Sequence, residues 1–508
     1  MAKKVMVLLA AVALWAGTAM AQDARRALEA AAAAMGAADM KSIQYTGTGW
    51  QGAVGQNYTP AHDWPRFDLT SYTRTIDFDS QSSKVEMVRV QGNNDQRGGG
   101  GTPIVGEQRL TQFVSGNTAW DLNAQGATVP QPAQAEMRQL EIWLTPHGFL
   151  KGAMAGNATA VRRWEYDQWV TVVSFTALGK YRINGTITPD NVIQRIQTWV
   201  PNPVAGDMYY ETVFSRYREI NGVMFPGRWH QHQDYDDGFW RNNASGGDHA
   251  FGLETITDVK INAGGAVAAV PDAVRQASMP AVRVASEKLA DGVWLIGGGS
   301  HNSVLVEFKD SVAVIEAPLN EERSLAVIAE VYKLVPNKPI QYIVNTHHHW
   351  DHLGGIRTYR HEGATIVFNE RNRGFLEEVL TAGPRQLQPD RYSLSPPEEW
   401  AEGYTFETVR EKFILGDETR TVELHNVQGL QHAVGMLIAY LPKEKIVVQA
   451  DLYNAPAPGG QPQGAPNASN QTFFRNIQRL KLDVNTIVGI HGRPGPMTGL
   501  QQLVSRAQ

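Results

Sequence analysis

An α+β chain built from two unlike domains is what the sequence predicts, and three observations carry that expectation. Between Tyr45 and Asp258, β-prone runs alternate with turn signals, as in a mainly antiparallel sheet. Ala263 to Pro280, with Gly264-Gly265, Pro271 and Pro280, has the composition of a linker. From Ala281 onward, short apolar strands interleave with helical periodicities, the pattern of sheets flanked by helices. The chain of 508 residues is also too long for one ordinary core.

Met1-Ala2-Lys3-Lys4, the apolar run Val5 to Trp15 and Ala19-Met20-Ala21 have the three parts of a secretory leader, so residues 1–21 are expected to be removed. The run is shorter than the roughly 20 apolar residues a spanning helix needs, so no stable membrane anchor is expected. A periplasmic or secreted protein follows. With no cysteine, the chain can form no disulfide and offer no thiolate ligand. Apolar and charged fractions of 42% and 19% are those of a folded protein. Without the leader's two lysines the formal charge moves from −5 to −7, which argues against a nucleic-acid surface.

The alanine-rich stretch Asp23 to Met40 predicts a helix opening a β-rich domain over 22–262. Strands are expected at Val85 to Val90, Trp169 to Phe175, Val192 to Val200 and Tyr209 to Tyr217, with turns at Asn184-Gly185, Pro189-Asp190-Asn191 and Asn221-Gly222. A helical piece, Ala133 to Leu144, is expected on the open face of this sheet. The layout from Tyr181 to Pro226 resembles the incomplete barrels of periplasmic lipoprotein carriers. Trp164, Trp169, Trp199, Trp229 and Trp240 read as core or cross-strand partners. Gln96 to Gly101 reads as a flexible loop and, lacking a basic-hydroxyl follow-up, not as a phosphate loop. The linker spans 263–280.

The third segment, 281–508, opens with strands at Val293 to Ile296, Ser303 to Phe308 and Val312 to Ile315, then a helix near Glu321 to Leu334. The buried run Ile340 to Val344 delivers Thr346-His347-His348-His349-Trp350-Asp351-His352-Leu353 to a tight loop before Gly354-Gly355. His347 and His349 alternate and so face one side of extended backbone. Asp351 and His352 follow the turn and can address a second point beside the first. Three imidazoles and a carboxylate so placed suit zinc or a similar borderline divalent ion.

This H-x-H-x-D-H pattern resembles the signature of the metallo-β-lactamase superfamily, and within it the glyoxalase II and lactonase-like branch. The resemblance implies an αββα sandwich over 281–508 and further ligands at later strand ends. Gln428 to Gly435 is similar to the family's Gly-x-His-Thr-x-Gly loop, with Gln431 and Ala433 departing from it, and offers His432. Ile446 to Leu452 is similar to its strand ending in Gly-Asp, with Ala450 for the glycine, and offers Asp451. Ile487 to Gly492 matches its strand ending in His-Gly and offers His491. The implied assignment is His347, His349 and His432 on one zinc, Asp351, His352 and His491 on a second, with Asp451 bridging.

An exported dinuclear zinc hydrolase is therefore expected, acting on a small molecule by attack of metal-bound hydroxide, with Asp351 able to accept a proton besides ligating. A bridging aspartate favours an ester, lactone or thioester over a β-lactam, since the family's true β-lactamases carry Cys or Ser there. The alternatives are a β-lactam hydrolase, an iron-dependent sulfur dioxygenase of the same fold, and a non-enzymatic carrier acting through the N-terminal sheet. Glu316 stands where the family carries an aspartate and is expected to orient a ligand. His348 and Trp350 are expected to pack, His425 to be structural, and His301 and His361 to be ordinary surface residues. Tyr453 or Asn454 could polarise a carbonyl, and the loop Ala455 to Asn470 could cover substrate. Oligomeric state is not legible.

Overall fold

The structure is a computed structural model describing residues 20–234, 249–262, 269–381, 385–395, 403, 405–461 and 464–506. Most of the expected leader, Trp240 and the first residues of the linker lie outside the described residues. The opening helix covers residues 20–34, shorter than expected. It stops because Gly36 takes a left-handed φ of +68°, and the Ala37 amide returns to the Ala32 carbonyl at 2.8 Å, a glycine C-cap.

Strand Ser42–Gly52 is the hinge of the N-terminal sheet. It pairs antiparallel with Arg66–Asp77 on one side and with His249–Ile261 on the other. Thirteen strands result, two antiparallel meanders joined through this strand. Its alternating burial is that of a sheet with one face on the core. Helices Ala135–Trp143 and Pro146–Ala155 link the two outer edges across that face. Thr145 starts the second helix by accepting from the Gly148 amide, with Pro146 in its first turn. The turn expected at Asn184-Gly185 is instead the middle of strand Tyr181–Ile187. Gly185 serves close approach there: a Cβ would lie 2.2 Å from the Phe149 ring. Of the tryptophans, Trp229 is core, while Trp164 and Trp169 form an exposed cross-strand pair.

Short helix Asp272–Arg275 pins the described part of the linker, burying Val274 against Phe113 and Trp120. Beyond it lie a seven-stranded and a six-stranded sheet. Strand Val312–Ile315 is buried on both faces. Val314 joins the apolar cluster with Val327, Ile328 and Val331 of helix Glu321–Leu334, while Ala313 and Ile315 join Leu437, Val447 and Val448 of the second sheet. Helix, sheet and sheet are thus stacked layers, and Ala468–Arg479 and Met497–Ser505 pack with the second sheet. The core shared by Val314 and helix Glu321–Leu334 is continuous with the N-terminal core around Tyr45 and Trp229. Polar ties reinforce the joint: Arg385 donates to the carbonyls of Asn202, Pro203 and Val204, and Asp207 accepts from the amides of Gln386 and Leu387. Among the described residues no helix is long and apolar enough to cross a membrane.

Candidate metal centre

Strand ends of both sandwich sheets converge on one point. Ile340–Val344 leads to His347 and His349, helix Trp350–Leu353 carries Asp351 and His352, Ile446–Gln449 leads to Asp451, and Thr486–Gly489 leads to His491. The structure gathers all seven residues anticipated from the sequence into two adjoining groups. His347, His349, His432 and Asp451 form one, with ligand atoms within 4.8 Å of one another; Asp351, His352, His491 and His301 form the other.

His301 is a correction to the sequence reading. It is buried rather than on the surface, because the run Gly297-Gly298-Gly299-Ser300 turns it inward just before strand Ser303–Glu307. Its Nε2 lies 3.3 Å from Asp351 Oδ2, and Arg323 holds its carbonyl at 3.0 Å. A histidine three residues before the apolar run Val304-Leu305-Val306 was the available signal.

The Asp451 carboxylate sits between the groups. Oδ2 lies 3.1 Å from His432 Nε2, 3.3 Å from His347 Nε2 and 3.0 Å from His352 Nε2, while Oδ1 lies 3.0 Å from His491 Nε2. Asp451 and Glu316 hold left-handed φ values of +62° and +82°. For non-glycine residues such backbone costs on the order of 1–3 kcal/mol each, which the surrounding contacts must offset.

Hydrogen bonds on the outer nitrogens fix which imidazole atom is free. Buried Glu316 accepts from the Thr346 hydroxyl at 2.6 Å and meets His352 Nδ1 at 3.2 Å, leaving His352 Nε2 inward. Its expected orienting position is thus occupied. Thr346 Oγ1 is 3.0 Å from His347 Nδ1, and the Ser300 carbonyl is 3.1 Å from His491 Nδ1. His349 Nε2 donates to the Asn57 carbonyl at 2.9 Å. His347 Nε2 and His349 Nδ1 remain buried without a hydrogen-bond partner. Buried polar atoms are ordinarily satisfied, so two orphaned imidazole nitrogens facing one carboxylate fit a metal ion.

Burial, then neighbouring imidazoles, hold His347 and His349 well below the ordinary histidine value, in the neutral form a ligand needs. Burial acts the same way on His352, but the Asp451 and Glu316 carboxylates outweigh it and raise it well above that value. Those carboxylates favour the protonated imidazole of His352. For Asp351, burial alone would favour the acid, yet the His301 hydrogen bond and the positive charge of His352 keep it ionised.

The N-terminal sheet closes over this centre, which sequence reading did not anticipate. Gln56, between strands Ser42–Gly52 and Arg66–Asp77, donates from Nε2 to Asp351 Oδ1 at 2.7 Å, while its Oε1 accepts from the Gly100 amide at 2.8 Å. The Asn57 carbonyl accepts from both His348 and His349. Gly98 donates to the Gln431 carbonyl, and Gly99 lies so close that a Cβ would be 2.8 Å from the His349 ring. The glycine run is therefore a loop, as expected, but one packed on the His349 ring. Trp350 donates from its amide to the Gly55 carbonyl and meets Trp64 edge-on.

His348 packs beside Phe375, His425 pairs with Glu423 within its strand, and His361 is exposed, each as anticipated. Tyr453 does not face the site: its hydroxyl is buried toward Gly499 on the last helix. Asn454 is exposed beside Gly492. Part of the loop Ala455 to Asn470 lies outside the described residues.

Residues 296–435 match the family model of the metallo-beta-lactamase superfamily, a span that includes His301 through His432 but not Asp451 or His491. A linear primary-alkylsulfatase from Pseudomonas sp is 31% identical over 71 residues, 14% of this chain and 10% of the relative. The matched stretch therefore covers about a tenth of that relative's length. Among solved structures, a metallo-beta-lactamase from Pontibacter korlensis is 18% identical, covering 44% of this chain and 98% of its own, with a TM-score of 0.34. The DIM-1 metallo-beta-lactamase is 16% identical, covering 45% of this chain and 100% of its own, with a TM-score of 0.33.

Proposed function

We propose that this chain, whose C-terminal part carries a metallo-beta-lactamase superfamily domain, is an exported dinuclear zinc hydrolase cleaving an ester, lactone or thioester bond. The superfamily's members are metal-dependent hydrolases. The position of Asp451 between the groups, with Oδ2 against His347 and His432 of one and His352 of the other and Oδ1 against His491, carries the dinuclear reading. His347, His349 and His432 would hold one ion, Asp351, His352 and His491 the other, with His301 beside the second. Bound ions of this class lower the pKa of water toward about 7 and polarise a carbonyl.

The protein's own groups set up that chemistry. His347, His349 and His352 are fully enclosed, while the side chains of Asp351, His432 and His491 are 34%, 15% and 25% exposed, so substrate approaches over these three. Gln56 donates to Asp351 and leaves its other oxygen for the second group. Such a donor favours the carboxylate form, so Asp351 serves first as a charge and only then as a proton acceptor.

The stretch shared with the alkylsulfatase favours a second reading, hydrolysis of an alkyl sulfate ester at the same centre. Wild type and Asp451→Ala should be assayed on lactones, carboxylic esters, thioesters, alkyl sulfates and β-lactams. Turnover of a carbonyl ester class, lost in the variant, is expected. Turnover of β-lactams alone, or full activity in the variant, would overturn the substrate reading. Metal analysis should find about two zinc ions per chain at this centre; a single tightly held iron there without zinc would count against hydrolysis. Export predicts a mature protein beginning at Gln22, and Met1 retained in a membrane fraction would contradict it.

A further inference from the structure

We propose that His230, His232 and His249 form a separate metal site on the N-terminal sheet, holding one zinc-class divalent ion. His230 and His232 alternate along strand Val223–Asp234, and His249 begins the neighbouring strand His249–Ile261, directly opposite His232. Alternation puts them on the face away from Trp229, Gln231 and Gln233, which line a cavity on the core side. One ring nitrogen from each lies within 4.8 Å of one from each of the others. Ring centroids are 4.6 Å apart for His230 and His232, 4.5 Å for His230 and His249, and 5.1 Å for His232 and His249.

A second observation points the same way. Glu211, opposite His232 on the next strand, places Oε1 3.3 Å from His232 Nδ1. Its other oxygen is held by the Tyr209 hydroxyl at 2.6 Å and Gln197 Nε2 at 3.0 Å. A carboxylate fixed by other donors and turned to the outer nitrogen of an imidazole is the arrangement that orients metal-binding histidines. It leaves His232 Nε2 toward its neighbours. Trp50 buttresses the group, edge-on to His230 at 5.5 Å, and Gly252 makes room for its indole, since a Cβ would lie 2.6 Å away. Three imidazoles suit zinc, nickel or copper rather than magnesium or calcium. All three are half-buried.

The test uses the full chain, stripped with chelator and loaded with Co2+, with bound metal counted after gel filtration. Wild type should retain one equivalent more than His230→Ala or His232→Ala, whatever the number at the other centre. Glu211→Gln keeps every ligand and should weaken that equivalent by about 10–100-fold. A measurement on wild type alone guards against misfolded variants: Co2+ should protect His230, His232 and His249 from diethyl pyrocarbonate, read by peptide mass spectrometry. Equal stoichiometry in wild type and both histidine variants, or unprotected histidines, would overturn the site.

Discussion

Gln56 is the residue through which the N-terminal domain reaches the metal centre most directly, and Gln56→Ala tests that reach. Its Nε2 donates to Asp351 Oδ1 at 2.7 Å, a charge-assisted bond to a side chain that faces the second imidazole group. Such bonds contribute about 1.5–3 kcal/mol, and loss of an outer partner to a metal ligand weakens metal binding by about 10–100-fold, or roughly 1.4–2.8 kcal/mol. The two estimates agree, so the metal affinity of the group that includes Asp351 should fall by one to two orders of magnitude. Competition against a chromophoric chelator reads this without knowledge of the substrate. Gln56→Glu preserves shape but sets an oxygen where the donor was, and like charges at that separation should weaken binding at least as much. Because Gln56 also accepts from the Gly100 amide, loop collapse must be separated from loss of the Asp351 bond. In an Asp351→Asn background, Gln56→Ala should therefore add little. An affinity within about twofold of wild type, or full additivity with Asp351→Asn, would refute the positioning role.

Gly99→Ala should displace the glycine loop, because its Cβ would stand 2.2 Å from Gln56 Oε1 and 2.8 Å from His349 Cε1; metal affinity should fall while far-UV circular dichroism is unchanged. Glu316→Ala strands the His352 and Thr346 donors in a fully buried place. A destabilisation of about 3–5 kcal/mol with loss of metal is expected, and an unchanged melting temperature would contradict it. Chelation of wild type should lower stability by about 4 kcal/mol relative to metal at a thousandfold excess over Kd, seen as a metal-dependent melting temperature. His147 supplies the pH prediction. Its ring is buried, bonded to the Met35 carbonyl and pushed down to about 4, chiefly by burial. The unfolded chain takes up that proton near pH 6.5 and the folded chain does not. Stability is therefore full above about pH 6.5 and falls by up to about 3 kcal/mol as pH drops through 4. With metal in excess, His147→Gln should flatten this part of the melting-temperature profile.

Physical range decides which parts of the fold are legible in the sequence. Strands of the sandwich are short runs buried on both faces, so they stand out as unbroken β-branched stretches; Val312–Ile315 has the bounds expected from the sequence alone. Helix Glu321–Leu334 is marked locally by Asn320, whose side chain caps the Arg323 amide. The N-terminal strands are visible one by one, but not their order. Pairing Ser42–Gly52 with His249–Ile261 joins residues some two hundred positions apart, and no local pattern encodes that register. Gly185 misleads for a related reason: a glycine admitting a ring from a distant helix looks the same in sequence as one that turns the chain.

The same distinction runs through the metal centre. One short spacing marked His347, His349, Asp351 and His352 as candidates, and the family resemblance of later loops added His432, Asp451 and His491; the structure brings all seven together. The groups that decide how those ligands stand are not so marked. Gln56 and Asp351 are 295 residues apart, and Asn57 acts through its main-chain carbonyl, which any residue type supplies. That carbonyl accepts the Nε2–H hydrogen bond of His349 and so leaves Nδ1, rather than Nε2, as the nitrogen without a partner. Without the loop from Ala53 to Pro65, His349 could present either nitrogen, and Asp351 would lose the donor on Oδ1. The N-terminal sheet is in this sense part of the centre's outer shell, which gives a physical reason for the two parts to share one continuous core.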